Sequence, residues 1–350
     1  MATICSMPRA SLFVDVDDNL WSCGFGVLTD QEASKVPSMV EGVPPIHSVS
    51  AFGLVLLLDV EGYVWQVQNR VANKLADIPA IKSISTGNSH ALLLDVNGDV
   101  WGLGRNAHGQ LGNYSRMKFD DNVYLPTKIQ NIPTMQSICA AYNHSLLLDV
   151  EGRVWGSGNN GDNRLGLKNT PTVPTIIEID TQIQSLSSGW IHSLFIDVND
   201  SLLSCGGNRT LQQGLESKRV DKVTKHSTLP KVRLATGAQY HSIFVDMNDS
   251  VWVCGSNFTG QLGTEPNPKL PLQRAALFDS MPAVCSISSL EHSLFLDVEG
   301  SVWSCGKNDV GQLGLDEVKD QVHIPTKIES IPPIKNLVTR IFRSKSARNI

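Results

Sequence analysis

The segment that decides the fold of this chain runs His144-Ser145-Leu146-Leu147-Leu148-Asp149-Val150-Glu151-Gly152-Arg153-Val154-Trp155. Its first half is an apolar strand that ends at Asp149. An acidic turn follows, in which Gly152 is a residue type that tolerates the positive φ of a tight hairpin. A second strand leaves the turn and carries Trp155. The segment therefore predicts a β-hairpin with an aspartate directly before its turn.

The sequence pattern of this hairpin occurs seven times along the chain. The aspartates that end its first strand, called the anchors from here on, are Asp15, Asp59, Asp95, Asp149, Asp197, Asp246 and Asp297. Three residues after each anchor stands Asp18, Gly62, Gly98, Gly152, Asp200, Asp249 or Gly300. Six residues after each anchor stands Trp21, Trp65, Trp101, Trp155, Leu203, Trp252 or Trp303. Because the offsets never change, this is a repeat protein, and units of 36 to 54 residues are too small to fold alone.

Each repeat reads as four short strands. An apolar strand such as 81–84 precedes the anchor hairpin, and a glycine-rich loop such as 105–112 follows it. The last strand, as in 125–129, contains Pro126, which suits an outermost strand because an edge need not donate every ladder hydrogen bond. No stretch of ten or more residues shows a helical period. The pattern predicts an all-β, seven-bladed β-propeller of four-stranded antiparallel blades; a solenoid is the alternative, but no polar capping repeat is visible.

The two ends of the chain have the sequence patterns of adjacent segments of the propeller. Residues 331–338 repeat the opening-strand pattern of residues 132–139, and Thr3-Ile4-Cys5 occupies the opening-strand position of blade 1. We therefore predict that the ends meet and close the propeller. Its span is residues 1–339, followed by a short basic C-terminal tail at 340–350. We also expect the repeat tryptophans to be core residues that pack between adjacent blades.

Composition limits the possible partners. The chain has 350 residues, is 41% hydrophobic and 18% charged, and has a formal charge of −5. The last twelve residues contain four basic residues and no acid, so the rest carries −9. A mildly acidic body does not favour nucleic acid. The start, Met1 to Cys5, lacks a charged signal region, and the longest aliphatic run, Leu54 to Leu58, is too short for a membrane span. We expect an intracellular monomer, in cytoplasm or nucleus.

Cysteine placement indicates structural thiols. Four of the seven cysteines share the position eight residues after an anchor: Cys23, Cys205, Cys254 and Cys305. The other repeats have Val67, Leu103 and Ser157 there. A position that is cysteine in some repeats and valine, leucine or serine in others behaves as a small buried position. Neither a disulfide framework nor a zinc site is therefore predicted.

The repeats are unequal outside the hairpin. Blade 1 lacks a Gly-Gln-Leu-Gly loop, and blade 2 has 66–69 where the glycine-rich loop should start. Blade 5 keeps only Gln213-Gly214-Leu215 of the loop. Blade 3 contains an insert at 113–124, and blade 5 a charged insert at 216–226. Variable loops on a rigid scaffold are where binding residues concentrate.

The loop and hairpin together resemble a known family. The pattern Val-Trp-Gly-x-Gly-x-Asn-x-x-Gly-Gln-Leu-Gly after His-Ser-Leu-Leu-Leu-Asp is similar to the repeats of the regulator of chromosome condensation family, with the best copies at 100–112, 251–263 and 302–314. The resemblance covers about residues 2–338. It implies a seven-bladed propeller with a protein-interaction role and, as in the founding member, nucleotide exchange on the small GTPase Ran with chromatin binding. Blades 1, 2 and 5 depart from the pattern.

Five histidines lie five residues before an anchor: His90, His144, His192, His241 and His292. Each belongs to a different repeat and none has a second ligand at metal-site spacing, so we expect each to bond backbone inside its own blade. Adjacent His-Ser residues on a strand point to opposite faces and so cannot form a catalytic dyad. The anchors are spread around the ring, and we expect each to accept backbone N–H bonds within its own turn.

Two further motifs are weighed as binding sites. Gly102-Leu103-Gly104 lacks the spacing and the following helix of a dinucleotide loop. Residues 188–192 resemble the Gly-Trp-x-His motif of the plant ultraviolet-B photoreceptors, which need several clustered tryptophans. The equivalent residues of the other repeats are taken as Ser89, Asn143, Tyr240 and Glu291, so Trp190 is the one tryptophan of the set and no chromophore cluster is predicted.

The sequence thus predicts a non-catalytic protein-interaction or scaffold propeller, with no catalytic, cofactor or metal site. The alternative is a guanine-nucleotide exchange factor for a Ran-like GTPase, which would insert a loop against the nucleotide site. The blade 3 insert is long, charged and aromatic, so it supplies the candidate protein contacts: Tyr114, Arg116, Lys118, Phe119, Asp120 and Asp121. The expected partner is a protein, and a small GTPase is the candidate class.

Overall fold

A computed structural model describes residues 2–27, 33–112, 122–274, 278, 281–316 and 319–337. These residues form seven separate four-stranded sheets and no α-helix. In every sheet the strands pair antiparallel with the next strand along the chain, from the innermost strand outward. The predicted seven-bladed propeller is confirmed, and the solenoid alternative is wrong because blade 1 packs against blade 7.

The blades take their strands in chain order. Blade 1 contains β1 Ile4–Ser6, β2 Ala10–Val14, β3 Leu20–Gly24 and β4 Ser34–Met39; blade 2 contains β5 Ile46–Ala51, β6 Val55–Asp59, β7 Val64–Gln68 and β8 Val71–Lys74. Blade 3 contains β9 Ile81–Thr86, β10 His90–Asp95, β11 Val100–Arg105 and β12 Asn122–Lys128; blade 4 contains β13 Met135–Ala140, β14 His144–Asp149, β15 Val154–Gly158 and β16 Thr175–Ile177. Blade 5 contains β17 Ile183–Ser188, β18 His192–Asp197, β19 Leu202–Gly207 and β20 Arg219–Lys225. Blade 6 contains β21 Val232–Gly237, β22 His241–Asp246, β23 Val251–Asn257 and β24 Asn267–Arg274; blade 7 contains β25 Val284–Ser289, β26 His292–Asp297, β27 Val302–Lys307 and β28 Gln321–Lys327.

The anchor aspartates hold the hairpins as expected, with one addition. In blade 4, Asp149 Oδ1 accepts the backbone N–H groups of Glu151 and Arg153 at 3.0 and 2.9 Å. Asp149 Oδ2 accepts the indole N–H of Trp155 at 3.0 Å. The same three bonds recur in six blades, and in blade 5, where Leu203 lacks an indole, Oδ2 instead lies 3.7 Å from Lys225 Nζ. The six-residue offset therefore reflects a carboxylate–indole pair.

That pair corrects the prediction that the tryptophans are core residues. Each packs against the apolar cluster between its own blade and the preceding one, but each is only half-buried. The indole must reach the anchor carboxylate at the end of the blade, and this keeps part of the ring near solvent. On the second strand of each blade, the residue paired with the tryptophan position is fully buried. These residues are Phe13, Leu57, Leu93, Leu147, Phe195, Phe244 and Phe295.

The chain ends meet as predicted, and they share one strand position. In every other blade the first residue of the innermost strand faces the anchor, as Met135 faces Asp149. In blade 1 this partner of Asp15 is Ile334, from the far end of the chain. Lys335 N–H then donates to Val14 at 3.0 Å, and β1 continues the strand. The innermost strand of blade 1 is therefore assembled from both ends of the chain.

Blade 5 departs from the sequence-based expectation in two places. Asn208 Oδ1 accepts the N–H of Gln213 at 2.7 Å, as Asn257 Oδ1 accepts that of Leu262 at 2.9 Å. Gln213 thus occupies the leucine position, and Leu211 takes the first glycine position at φ 63°, so the register Gln213-Gly214-Leu215 was wrong by one residue. The prediction of a charged insert at 216–226 is also wrong, because most of this segment forms the outer strand β20.

Candidate protein-binding face

The repeat histidines join neighbouring blades, so the prediction of backbone bonds within one blade is wrong. In each case Nε2 lies within hydrogen-bond distance of a serine hydroxyl in the next blade. The pairs are His90–Ser145 at 3.0 Å, His144–Ser193 at 3.2 Å, His192–Ser242 at 2.9 Å, His241–Ser289 at 2.6 Å and His292–Ser11 at 2.7 Å. Sequence reasoning found both residue types but not their pairing. Three of these serines, Ser145, Ser193 and Ser242, directly follow a repeat histidine in the chain, yet each bonds the histidine of the preceding blade.

In two of these contacts the serine also bonds a loop carbonyl, and this fixes the histidine tautomer. Ser193 Oγ donates its proton to the Arg164 carbonyl at 2.5 Å, and Ser11 Oγ donates to that of Gln312 at 2.7 Å. Since a hydroxyl has one proton, it must accept from Nε2–H of the histidine. The Nδ1 atoms of His144 and His292 therefore carry no proton, and they are buried without a hydrogen-bond partner.

The residue eight positions after the anchor bonds the same loop carbonyls. Cys205 Sγ lies 3.3 Å from the Arg164 carbonyl, and Ser157 Oγ lies 3.2 Å from that of Gln110. The same contact is made by Cys23, Cys254 and Cys305 at 3.4, 3.3 and 3.7 Å. All seven cysteines are unpaired, and burial raises the pKa of Cys23 to about 12. These thiols therefore act as small interblade donors.

We call this set of histidine, serine, loop carbonyl and thiol or hydroxyl the polar belt. It occurs at five junctions between blades: 3 and 4, 4 and 5, 5 and 6, 6 and 7, and 7 and 1. Burial lowers the pKa of His90, His192, His241 and His292 to about 3. The imidazoles are therefore neutral, and they serve as fixed hydrogen-bond donors.

At the remaining two junctions the positions of the polar belt are apolar. Between blades 1 and 2 the histidine position is Ala10, and Val55 and Val67 replace the serine and cysteine. Both valines pack against a cluster that includes Leu12, Val49 and Leu57. Between blades 2 and 3 the corresponding residues are Leu54, Ala91 and Leu103, which belong to one apolar cluster.

Functional candidates lie on the face opposite the anchor hairpins. We call it the loop face, because the first and second strands of each blade, and the third and fourth, are connected there. Three of its aromatic side chains are exposed: Phe258 at 65%, Tyr240 at 45% and Phe25 at 44%. Arg9 lies over the Phe25 ring at 4.7 Å. Exposed aromatic side chains are enriched at protein interfaces relative to the remaining surface.

Three more aromatic residues meet at the loop-face end of the central channel. The Tyr142 and Trp190 rings stack with centroids 4.5 Å apart, and Phe52 meets them edge-on at 6.2 and 5.8 Å. These residues come from blades 4, 5 and 2, so they converge across the channel rather than along one blade. We call them the aromatic plug. A recess of about 170 Å³ adjoins it.

Trp190 is the one tryptophan at its repeat position, as predicted, but the residues taken as its equivalents were wrong. The comparison with Ser89, Asn143, Tyr240 and Glu291 was shifted by one position. Trp190 and Tyr142 both stand two residues before a repeat histidine, and Phe52 stands two before Leu54, which occupies the histidine position of blade 2. A correct register would have shown three aromatics at one repeat position, although not that their rings touch.

The sequence-predicted contact residues Tyr114, Arg116, Lys118, Phe119, Asp120 and Asp121 lie outside the described residues, as does the basic tail at 340–350. Within the described ranges, no three histidine, cysteine, aspartate or glutamate side chains are grouped so that they could hold a metal ion. The same part of the chain has no helix that is long and apolar enough to cross a membrane.

Comparison with known proteins gives the same architecture. A family model described as RCC1-like domain matches residues 70–343. Protein RCC2 homolog of Xenopus laevis is 34% identical over 93 residues, which cover 25% of this chain and 17% of that protein. Guanine nucleotide exchange factor SRM1 of Saccharomyces cerevisiae is 32% identical over 96 residues, which cover 24% of this chain and 20% of that protein.

Among solved structures, Prp20p from Saccharomyces cerevisiae, described with its binding properties to Gsp1p and histones, has a TM-score of 0.75. It is 20% identical, and the match covers 97% of this chain and 88% of that chain. At this identity the likeness shows the shared fold. The matches to the two curated relatives span a fifth of their length or less.

Proposed function

This chain belongs to the RCC1-like domain family, and on that premise we propose that it is a non-catalytic propeller that binds a protein partner through its loop face. The observation that carries the proposal is the set of exposed aromatic residues on that face, Phe25, Tyr240 and Phe258. Aromatic side chains supply much of the binding energy at protein interfaces because they bury a large area at a small entropic cost.

The repeated reactive groups support a binding role because they are engaged in structural bonds. The repeat histidines are buried donors to serine, and the anchors accept backbone and indole N–H groups. Burial raises the pKa of the repeat cysteines, which disfavours the nucleophilic thiolate. We expect the propeller to act as a monomer in the cytoplasm or nucleus, without cofactor or nucleic acid.

Crosslinking capture tests the proposed face. Full-length tagged chain is compared with a Tyr240→Ser/Phe258→Ser variant and with a Val150→Ser/Val198→Ser control. The control residues are 59% and 51% exposed but lie beside anchors on the opposite face. Quantitative mass spectrometry should show specific partners reduced about tenfold by the loop-face variant and retained by the control. Loss in the control alone would assign binding to the hairpin face.

A second candidate function is nucleotide exchange on a Ran-like GTPase. It is favoured by the similarity to an exchange factor of yeast over a quarter of the chain. An exchange factor breaks no bond; it stabilises the nucleotide-free GTPase and so lowers the affinity for nucleotide. The residues that would do this here are the blade 3 candidates, among them Phe119, Asp120 and Asp121.

Release of a fluorescent GDP analogue from Ran and related GTPases, at micromolar propeller, separates the two functions. We expect no acceleration. Acceleration of a hundredfold or more that is lost in Asp120→Lys/Asp121→Lys but kept in an Asp316→Lys control would establish exchange and overturn the non-catalytic assignment. A GTPase that binds without releasing nucleotide would instead be the partner of a scaffold or effector.

A further inference from the structure

Blade 5 has a recess at the position where the other six blades have a tryptophan. The recess has a volume of about 460 Å³, and its walls include Leu203, which replaces the tryptophan, and the anchor Asp197. In the other blades the indole donates to the anchor carboxylate at 2.8 to 3.1 Å. The recess lies on the hairpin face, between blade 5 and the connection that enters this blade from blade 4. We call it the blade 5 recess.

The connection that forms one wall of the recess also departs from the repeat. In the other six connections, an apolar residue followed by proline stands three residues before the strand residue that faces the anchor. This apolar residue packs in the same cluster as the next tryptophan; the six are Val43, Ile78, Ile132, Leu229, Met281 and Ile331. Between blades 4 and 5 the two positions are Asp180 and Thr181, which both line the recess. The tryptophan and its apolar neighbour are therefore replaced together, and the replacement introduces a carboxylate.

The anchor of blade 5 has one oxygen without a hydrogen bond. Asp197 Oδ1 accepts the backbone N–H groups of Asn199 and Ser201, both at 2.8 Å. Asp197 Oδ2 receives no hydrogen bond from the described residues, and Lys225 Nζ lies 3.7 Å away. The Asp197 side chain is only 2% exposed, whereas that of Lys225 is 58% exposed and lines the same recess. Because Lys225 approaches the carboxylate from the solvent side, a cation that enters the recess has a path to Oδ2.

The charges of the recess select a cation. Three carboxylates and one ammonium line it and give a formal charge of −2; these groups belong to Glu178, Asp180, Asp197 and Lys225. A buried carboxylate oxygen without a donor is unfavourable, and a charged donor makes the stronger bond to it. A neutral indole would satisfy Asp197 but would gain nothing from the charge of Asp180.

The walls select arginine among cations. The apolar part of the lining consists of Ile179, Leu203 and Val223. The apolar stem of an arginine packs on such a surface, while its planar guanidinium presents several donors to carboxylates. A lysine ammonium is a compact and strongly hydrated charge. Lys225 illustrates the difference, because its Nζ stays beyond hydrogen-bond distance of Asp197 Oδ2.

The surroundings favour an arginine within a protein over the free amino acid. A second recess, of about 640 Å³, adjoins the first across the same connection and shares residues 178–181 with it. Its lining includes Ile176, which is 42% exposed. A protein segment can therefore continue from one recess to the other, whereas the carboxylate of free arginine would be repelled by Glu178 and Asp180.

We propose that the blade 5 recess receives an arginine side chain from an exposed segment of a partner protein. The guanidinium donates to Asp197 Oδ2 and to Asp180, and it displaces the Lys225 ammonium. The inference goes beyond the proposed function, because it places a second binding surface on the hairpin face. None of the residues changed in the crosslinking test lines this recess, so the two assignments succeed or fail separately.

Methyl NMR of the full chain, labelled at isoleucine, leucine and valine, tests the site. The probes are N-acetyl-arginine amide, its citrulline analogue, which has the same shape without the charge, and its lysine and tryptophan analogues. We expect the arginine probe to shift the methyl resonances of Ile179, Leu203 and Val223 and to bind about tenfold more tightly than each other probe. Equal binding of the citrulline or lysine probe, tighter binding of the tryptophan probe, or no shift with any probe would each overturn the inference.

Three substitutions locate the bound guanidinium. Leu203→Trp restores the repeat tryptophan and should abolish binding by filling the recess. Asp180→Asn should weaken binding about fivefold, whereas the same change at the exposed Asp77, on the connection between blades 2 and 3, should have no effect. Lys225→Gln removes the competing ammonium and should tighten binding about threefold more than Lys222→Gln, which changes an exposed lysine of β20 outside the recess.

The exposed positions keep this test decisive if Leu203→Trp is unstable, because Asp180 and Lys225 both face solvent. Binding that survives in a folded Leu203→Trp protein contradicts the recess as the site. Binding that is unchanged by both Asp180→Asn and Lys225→Gln contradicts the role of these charges.

Selection from displayed constrained heptapeptides separates a protein source from a free small molecule. Enriched sequences should carry arginine at one fixed position, and the Leu203→Trp protein should not enrich them. Free L-arginine that binds as tightly as N-acetyl-arginine amide, without peptide enrichment, would overturn the protein source. The Tyr240→Ser/Phe258→Ser variant should give the same enriched sequences as the unchanged chain, because those two residues lie on the loop face.

Discussion

The polar belt is present at five junctions between blades, and apolar residues replace it at the other two. It is present only where the first blade of the junction has a glycine-rich loop. At a polar junction such as that of blades 4 and 5, His144 bonds Ser193, and Ser193 and Cys205 both bond the Arg164 carbonyl. That carbonyl belongs to the glycine-rich loop of the first blade. Blades 1 and 2 lack this loop, and the junctions of blade 1 with blade 2 and of blade 2 with blade 3 also lack the histidine, the serine and the cysteine.

The correlation has a physical reason in the cost of unsatisfied donors. A buried serine or thiol without the loop carbonyl would be an unsatisfied donor, which costs about 1–3 kcal/mol, whereas replacing both partners by apolar groups is nearly neutral. Where the loop is absent, valine, leucine and alanine occupy the positions instead, as at Val55 and Leu54. In the repeats that depart from the pattern, apolar residues therefore replace all partners of the polar belt together, and no buried donor is left unsatisfied at these positions.

Acid should affect the polar junctions most strongly. The folded protein keeps the repeat histidines neutral with a pKa of about 3 in His90, His192, His241 and His292, whereas the unfolded chain protonates near 6.5. The unfolded state therefore binds more protons between these values, so stability is complete above pH 6.5 and falls as pH drops towards 3.

Each buried histidine can remove up to about 1.4 kcal/mol per pH unit below 6.5. Urea unfolding at pH 7.5, 6.5, 5.5 and 4.5 measures the fall, and hydrogen exchange locates it. We expect exchange to rise first in β10, β14, β18, β22 and β26, which carry the repeat histidines, with β6 protected longer. A stability that is flat down to pH 4.5 would contradict the neutral belt.

Closure of the ring should be the next largest effect. Ending the chain after residue 330 removes Ile334, which is 1% exposed and faces Asp15, together with the Lys335 bond to Val14. Loss of one buried isoleucine alone costs about 2–5 kcal/mol. Thermal unfolding should show a lowered Tm for this truncation and an unchanged Tm for a control ending after residue 339. Equal Tm values would mean that the shared strand does not close the ring.

One polar junction can be converted into an apolar one. Ser193→Ala leaves His144 Nε2–H and the Arg164 carbonyl without their hydroxyl, and the free energy of unfolding should fall by about 1–3 kcal/mol. His144→Leu/Ser193→Ala reproduces the Leu54 and Ala91 pair of blades 2 and 3, and we expect it to recover most of the loss. A double variant as unstable as the sum of its single changes would show that the contacts act independently.

The smallest effect concerns the carboxylate–indole pair, which blade 5 lacks. Trp252→Phe removes the donor 2.9 Å from Asp246 Oδ2 but keeps a ring. The free energy of unfolding should fall by about 1 kcal/mol, since one hydrogen bond to a charged group is lost near solvent. Leu203→Phe in blade 5 is the control and should cause no such loss. A larger fall in the control would indicate that ring packing dominates this position.

Much of the architecture follows from local sequence. The seven copies of the anchor hairpin predict the number and order of the strands, because each strand pairs with its neighbour along the chain. The anchor bonds were predictable for the same reason, since Asp149 and its backbone donors are within four residues of each other. The indole partner was also signalled, by the constant six-residue offset, and only its chemistry was missed.

What the sequence by itself determined is therefore local to single blades: the anchor hairpins, the strand order and the blade count. Only the tertiary structure decided which residues meet between blades and across the channel. It paired His292 with Ser11, placed Ile334 opposite Asp15, and brought Phe52 onto Trp190. The reason is physical. Periodicity in a strand specifies which face a side chain takes, but contacts between blades depend on the angle at which successive sheets pack and on the closure of the ring, and these emerge only when all seven blades are assembled.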